Sequence, residues 1–178
     1  MAAMLPARCR RRIATALAEL GIDPQRIESR KLPMFEDARR LAPAGLGTDG
    51  RDKMLAPHAA KAWRAMQSKA ARDGVELLLI SGFRSVEFQV ELIRGKLERG
   101  RTIDEVLTVN APPGYSEHHT GCAIDIGTTG CEPLDDAFEK TAAFAWLQQH
   151  AASFGFSMSY PRGNAEGFVY EPWHWRHR

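Results

Sequence analysis

Residues 122–126 read Cys-Ala-Ile-Asp-Ile, and the aspartate is the constraint. The alternation is that of a β-strand, with Ala123 and Asp125 on one face and Cys122, Ile124 and Ile126 on the other. A carboxylate set between two isoleucines is costly to bury unless a cation or a metal meets it. A salt bridge to an arginine such as Arg84 would satisfy it, and so would ligation of a metal. Any fold open to this chain has to bring one of these to Asp125.

Two segments can supply the rest of a metal site. Just upstream lies a loop, Pro113-Gly-Tyr-Ser-Glu-His-His-Thr-Gly121. Its adjacent histidines, His118 and His119, point to opposite sides of an extended chain, so one of them faces Asp125. Far downstream, Glu171-Pro-Trp-His-Trp-Arg176 carries a carboxylate and an imidazole three residues apart. Pro172 between them excludes a helix interior, so this segment is extended or kinked. Trp173 and Trp175 have the bulk to wall a pocket and keep water out.

Together these segments hold two imidazoles, a ligating carboxylate and one further carboxylate. A zinc ion held by one of the two histidines, Asp125 and His174 has three protein ligands and one open position, where a water's pKa falls to roughly 7. Glu171 is then the general base and acid, taking the water's proton and passing it to the leaving amine. Arg84, in the turn Ser81-Gly-Phe-Arg-Ser85, offers a fork for a carboxylate. Such a site hydrolyses an amide next to a free carboxylate, the work of a carboxypeptidase or dipeptidase. The H-E-x-x-H pattern is absent. His58 and His150 read as solvent-facing positions of helices, and His177 lies in a basic segment and is not a ligand.

Along the chain, residues 10–20 read as an amphipathic helix with Ile13, Leu17 and Leu20 on one side, and Asp23-Pro24 caps and opens a second. Residues 32–57, with three prolines and three glycines, read as an irregular connection. Pro57 opens a helix with Ala60, Trp63 and Ala70 in its core stripe. Residues 75–80 form a buried strand. A helix follows from residue 85 or 86 to about Arg99, closed by Gly100, then a short one opened by the capping box Thr102-Ile-Asp-Glu105. Residues 138–154 read as one helix with Phe138, Ala142, Ala145, Trp146 and Gln149 inward, and 156–160 and 168–175 as two strands. Consecutive strands late in the chain favour an antiparallel sheet and an α+β class.

The bounds agree with a single domain over residues 1–178, with 1–50 a helical N-terminal extension and 75–176 the catalytic core. At 178 residues the chain can bury one sizeable core. Arg8, Arg10, Arg11 and Arg12 form a basic run, but no aromatic is interleaved and the net charge is only +2, so it reads as a solvated helix end rather than a nucleic-acid surface. Three cysteines without a C-x-x-C argue against a disulfide framework or a zinc knuckle, and free buried thiols are expected over a Cys122–Cys131 bridge. No run approaches the ~20 apolar residues of a membrane span, and the N-terminus does not read as a secretory signal, which points either to the cytoplasm or to an export segment missing from this chain. A monomer is expected.

Ser116-x-His118-x-x-Gly121-x-Ala123-x-Asp125, preceded by Ser81-Gly-Phe-Arg-Ser85 and followed by Glu171-x-Trp173-His174, resembles the zinc D-alanyl-D-alanine peptidases, above all the VanY-type D,D-carboxypeptidases. The resemblance runs from about residue 75 to 176. It implies one zinc per chain on His118, Asp125 and His174, with Glu171 catalytic. It also implies that Arg84 and Ser116 hold the substrate's terminal carboxylate, that Tyr115 and Trp173 border the pocket, and that Gln89 is a further polar contact. The implied fold is a small antiparallel sheet flanked by helices, as in hedgehog and D,D-peptidase domains. The implied substrate is a peptidoglycan stem peptide or muropeptide, cut at its D,D or L,D terminal amide in the bacterial cell envelope. Sister activities of the superfamily, a D-Ala-D-Ala dipeptidase or an L-Ala–D-Glu endolysin, are the alternatives, as is a non-catalytic metal-stabilised binding module.

Overall fold

A computed structural model describes residues 5–178. Helix α1 (Ala7–Glu19) starts directly after Pro6 and buries Cys9, Ile13, Ala16 and Leu17, one stripe at helical spacing. Asp23 caps α2 (Pro24–Ser29) by accepting the Gln25 N–H at 2.9 Å, with Pro24 in the first turn. Helix α3 (Pro57–Arg72) buries Ala59, Ala60, Trp63, Met66 and Ala70. Strand β3 (Leu78–Ser81) leads through the arginine turn to α4 (Val86–Glu98), whose cap is Ser85. Helix α5 (Ile103–Val109) has both hydrogen bonds of the Thr102–Glu105 capping box.

Four strands make the main sheet. Strand β4 (Ala123–Gly127) lies between β3 and β6 (His174–His177), and β5 (Phe156–Met158) closes the far edge of β6, all pairings being antiparallel. The register sets Asp125 opposite both Ser81 and His174, and Ile124 opposite Trp175. The face carrying Ile124, Ile126 and Trp175 packs against α3 and α6 (Ala142–His150) in one apolar core, where Trp63, Ile124 and Ile126 are fully buried. Burial of each such side chain contributes roughly 1.5–3 kcal/mol. A second core joins α1, α2, α4 and α5 to Tyr160 and Phe168. Arg12 ties α1 to the rest by pairing with Asp37 at 2.6 Å and with Glu87. This α+β architecture is the expected class.

Several local expectations change. Residues 32–57 contain a hairpin, β1 (Ala42–Leu46) with β2 (Asp52–Leu55); its bulge at Pro43/Gly45 breaks the alternation that would have marked it in sequence. The helix expected over 138–154 is split. Thr141 accepts the Phe144 N–H and restarts the chain at Ala142, leaving Phe138 in a separate 3-10 turn, Asp136–Lys140. That phase buries Ala143, Trp146 and Leu147 and leaves Ala142, Ala145 and Gln149 exposed. Residues 168–173 are not a strand. The His174 N–H turns back to the Glu171 carbonyl at 3.1 Å, and Pro172 has no N–H to give a ladder. His150 is half-buried beside the Trp146 ring, centroids 4.6 Å apart, rather than solvent-facing. All three cysteines are free, and Cys122 and Cys131 are only half-buried. Among the described residues no helix is long and apolar enough to cross a membrane.

Candidate metal centre and active-site pocket

The face of the sheet opposite α3 carries the polar cluster. Because β4 and β6 are antiparallel neighbours in register, Asp125 and His174 are cross-strand partners, and Asp125 Oδ1 lies 3.0 Å from His174 Nδ1. His118 comes from the 3-10 turn Glu117–Thr120, which is held against the sheet at both ends. Ser116 Oγ accepts the His118 N–H at 3.3 Å at its start. Gly121 ends it at φ 66°, and a Cβ there would sit 2.8 Å from the Ala56 nitrogen, which itself donates to the Gly121 carbonyl. One nitrogen of His118, one of His174 and a carboxylate oxygen of Asp125 all lie within 4.8 Å of one another, and all three residues are buried.

The second nitrogen of each imidazole is committed to the protein. His118 Nδ1 lies 2.7 Å from the Gly82 carbonyl, which only accepts, so Nδ1 carries the hydrogen and Nε2 presents its lone pair to the cluster. His174 Nε2 lies 3.0 Å from Glu117 Oε2. Glu117 is in turn fixed by Arg176 at 2.8 Å and by Ser159 Oγ at 2.6 Å. Carboxylates and carbonyls behind ligating histidines set ring orientation and tautomer in metal sites. Two imidazole nitrogens and a carboxylate oxygen, buried, convergent and braced from behind, fit a divalent metal, zinc among them.

His119 is the partner that points away. Its Nδ1–H donates to the Arg84 carbonyl at 2.7 Å and its Nε2 accepts the Gly114 N–H at 3.0 Å. Both nitrogens are used, the ring is fully buried, and burial pushes its pKa down, so it is a neutral strut between the two loops.

Burial sets the protonation of the rest. It pushes the Glu171 carboxyl up to about 7, the nearby Asp125 charge adding to it against His174 and Arg84. Burial pushes His118 down to about 4, with Arg84 acting the same way. His174 is also desolvated, but hydrogen bonds to Asp125 and Glu117 outweigh that and raise it to about 10. Glu117 is held at about 2, because its bonds to His174 and Ser159 and the charge of Arg176 overcome desolvation.

Beside the cluster is a cavity of about 130 Å³, lined by Arg84, Gln89, Ser116, Glu171 and Trp173 among others. Glu171 reaches it from its own turn, its N–H on the Tyr160 carbonyl, with Oε2 3.9 Å from His174 Nδ1. Arg84 donates from Nε to Ser81 Oγ at 3.0 Å and from one terminal nitrogen to Asp125 Oδ2 at 2.7 Å. That nitrogen is also 2.8 Å from His118 Nε2, so both outcomes foreseen for Asp125, an arginine and convergence with histidines, occur together. Gln89 is 1% exposed and donates to the Ala111 carbonyl. Tyr115 packs into the helical core and is not among the lining side chains.

Sequence reasoning passed over Glu117, Arg176, Tyr160 and Lys96. Glu117 reads as an ordinary first-turn acid of a short turn, and only the fold shows it under His174. Tyr160, whose ring stacks on His174 at 4.7 Å, stands outside every motif.

Comparison with known proteins identifies the family. A family model described as VanY, D-alanyl-D-alanine carboxypeptidase, matches residues 52–178. YodJ of Bacillus subtilis (strain 168), which carries a carboxypeptidase name, is 36% identical over 131 residues, 70% of this chain but 46% of that protein. The chain therefore spans about half the length of this relative. The LdcB LD-carboxypeptidase structure is similar with a TM-score of 0.70 and 31% identity, covering 82% of this chain and 71% of that one. A vancomycin-resistance D,D-pentapeptidase, VanY, solved in complex with Zn(II), gives a TM-score of 0.60 at 27% identity over 82% of each chain.

Proposed function

The chain belongs to the VanY family of D-alanyl-D-alanine carboxypeptidases, and from that premise we propose that it is a zinc-dependent carboxypeptidase releasing the terminal D-alanine of a peptidoglycan stem peptide. The observation that carries the reading is the buried convergence of His118, Asp125 and His174 within 4.8 Å, with the Glu171 carboxylate lining the same pocket 3.9 Å from His174 Nδ1. A module that only bound metal would need the triad but not such a base.

The triad would hold zinc, which when bound supplies Lewis acidity at the scissile carbonyl and at an attacking water. Glu171 works from the pocket side. A carboxylate whose pKa lies near the working pH can take the water's proton and return it to the departing amine nitrogen. Glu117 keeps the Nε2 proton of His174 and so leaves Nδ1 turned toward Asp125. Arg84 and Ser116 supply a guanidinium and a hydroxyl for the substrate's terminal carboxylate. Trp173, Tyr160 and Phe168 exclude water around them. The 130 Å³ cavity is well below the usual 300–1,000 Å³ of ligand pockets, which suits enclosure of one small terminal residue rather than a long peptide.

The test is product analysis by mass spectrometry on a stem pentapeptide and a stem tetrapeptide, with zinc and after chelation. Release of one D-alanine, lost on chelation, is expected. Release from the pentapeptide indicates D,D cleavage and release from the tetrapeptide L,D cleavage. Cleavage only of free D-Ala-D-Ala would replace the reading with a dipeptidase, and zinc binding with no cleavage would replace it with a binding module.

A further inference from the structure

The pocket contains a cation that the catalytic scheme leaves without a task. Lys96 lies seven residues after Gln89 on α4, so both side chains leave the same helix face and line the same cavity. Its ammonium is half-buried and donates to Asn110 Oδ1 at 2.5 Å, a neutral acceptor on a residue only 9% exposed. No carboxylate of the described residues forms an ion pair with it. Arg84, Arg99 and Arg101 repel it, and Glu171 alone among its strongest charged neighbours attracts it. Burial and those arginines push its pKa down. A desolvated ammonium with a neutral partner is an expensive arrangement unless an anion arrives to complete it. Lys96 is in the last turn of α4, where the helix dipole favours a cation, yet its hydrogen bond goes across to Asn110 and into the pocket wall.

The surroundings describe the shape of that anion. The same cavity is also lined by Val109, Ala111, Leu134 and Phe168. Of these, Val109 and Leu134 remain 44% and 47% exposed, and Leu134 has φ 58°, a backbone state rare for leucine. An occupant with a small apolar body and a carboxylate fits both features.

We propose that Lys96, steadied by Asn110, is a second carboxylate-binding residue of this pocket, distinct from Arg84, and that it takes a carboxylate of the peptide substrate. The inference rests on the carboxypeptidase reading and adds a specificity determinant to it. Arg84 is tied to Asp125 and Ser81, whereas Lys96 has no anion of its own, so the pocket offers substrate carboxylates two cations with different protein partners.

The test measures binding separately from turnover. A zinc-loaded Glu171→Gln protein is titrated calorimetrically with a stem pentapeptide ending in D-Ala-D-Ala, with its C-terminal amide, and with the form whose upstream acidic residue is amidated. Adding Lys96→Met should weaken the free-acid peptide about tenfold or more, as loss of a charge-assisted hydrogen bond does. Lys96→Arg should stay within about threefold. If the terminal carboxylate is the ligand, Lys96→Met has no effect on the C-terminal amide. If the upstream carboxylate is the ligand, the effect vanishes instead on the upstream-amidated peptide. Either pattern supports a carboxylate subsite and identifies its source. Equal affinities with and without the Lys96→Met substitution for all three peptides, or no binding of any peptide, would overturn it. Tight Lys96-dependent binding with no turnover by the unsubstituted protein would overturn the carboxypeptidase reading and leave the subsite standing. Far-ultraviolet circular dichroism and thermal melting of Lys96→Met and Lys96→Arg establish that both variants are folded.

Discussion

Glu117 Oε2 and His174 Nε2 lie 3.0 Å apart across 57 residues of chain, and Arg176 and Ser159 close around the other edges of the same carboxylate. The acid next to His118 thus braces His174. Glu117→Gln keeps the shape but removes the charge. It should lower zinc affinity by about 10–100-fold, as changes behind ligating histidines do. Competition with a chromophoric chelator measures this, and unchanged affinity would show that His174 is oriented without it.

Glu171→Gln should leave zinc stoichiometry intact while D-alanine release falls by about 10²–10⁴-fold. Metal analysis and product release on the same preparation check both halves. Loss of metal along with activity would make Glu171 part of the binding set instead of the base.

The same residue has a stability signature in the metal-free protein. Its carboxyl is raised from 4.5 to about 7, so the folded state binds its proton more tightly than the unfolded chain. That contribution is present below about pH 4.5 and lost as pH rises through about 7, on the order of 3 kcal/mol in all. Chemical denaturation of the chelated protein with and without Glu171→Gln should therefore diverge over that window, the variant being the more stable at pH 8. A bound cation favours the carboxylate, so zinc should move the window to lower pH.

His118 and His119 should fail differently. His118→Ala should abolish stoichiometric zinc binding and also cost about 1–3 kcal/mol of apo stability, because the buried Gly82 carbonyl loses its donor. His119→Ala strips partners from the Arg84 carbonyl and the Gly114 N–H, at about 1–3 kcal/mol for buried groups left unsatisfied, and should retain one metal per chain. Zinc titration and melting of the two variants separate these outcomes, and the opposite pattern would move the ligand to His119.

Gly121→Ala tests the turn that delivers His118. The substitution meets a left-handed backbone and a contact 2.8 Å from the Ala56 nitrogen. A cost of about 1–3 kcal/mol is expected, with zinc affinity falling alongside stability. A neutral substitution would mean that the turn relaxes without moving the histidine.

Much of the site was legible because its chemistry is odd for its surroundings. An aspartate between Ile124 and Ile126 and a histidine between two tryptophans depart from ordinary burial rules, whereas the choice of His118 over His119 rests on the family resemblance. Each departure lies where the fold gathers the residues. Glu117, Lys96 and Tyr160 were not legible, because an acid in a first turn, a lysine near a helix end and a lone tyrosine obey those rules locally. Only long-range packing puts them beside His174 and Asn110. Helices with clean caps, at Asp23 and Thr102, read true. The β1–β2 hairpin was hidden by Pro43 and Gly45, and the break at Thr141 by apolar residues that suit either helical phase.

The antiparallel register that sets His174 opposite Asp125 has a consequence for how errors in folding are detected. Side chains on β6 alternate, so a slip by one residue would turn His174 into the apolar core and present Trp175 to Asp125. Such a chain could keep its strands and most of its buried area and still hold no metal. Ion uptake would therefore act as a proofreading step, withholding its binding energy from every misaligned sheet and adding it only to the correctly threaded one.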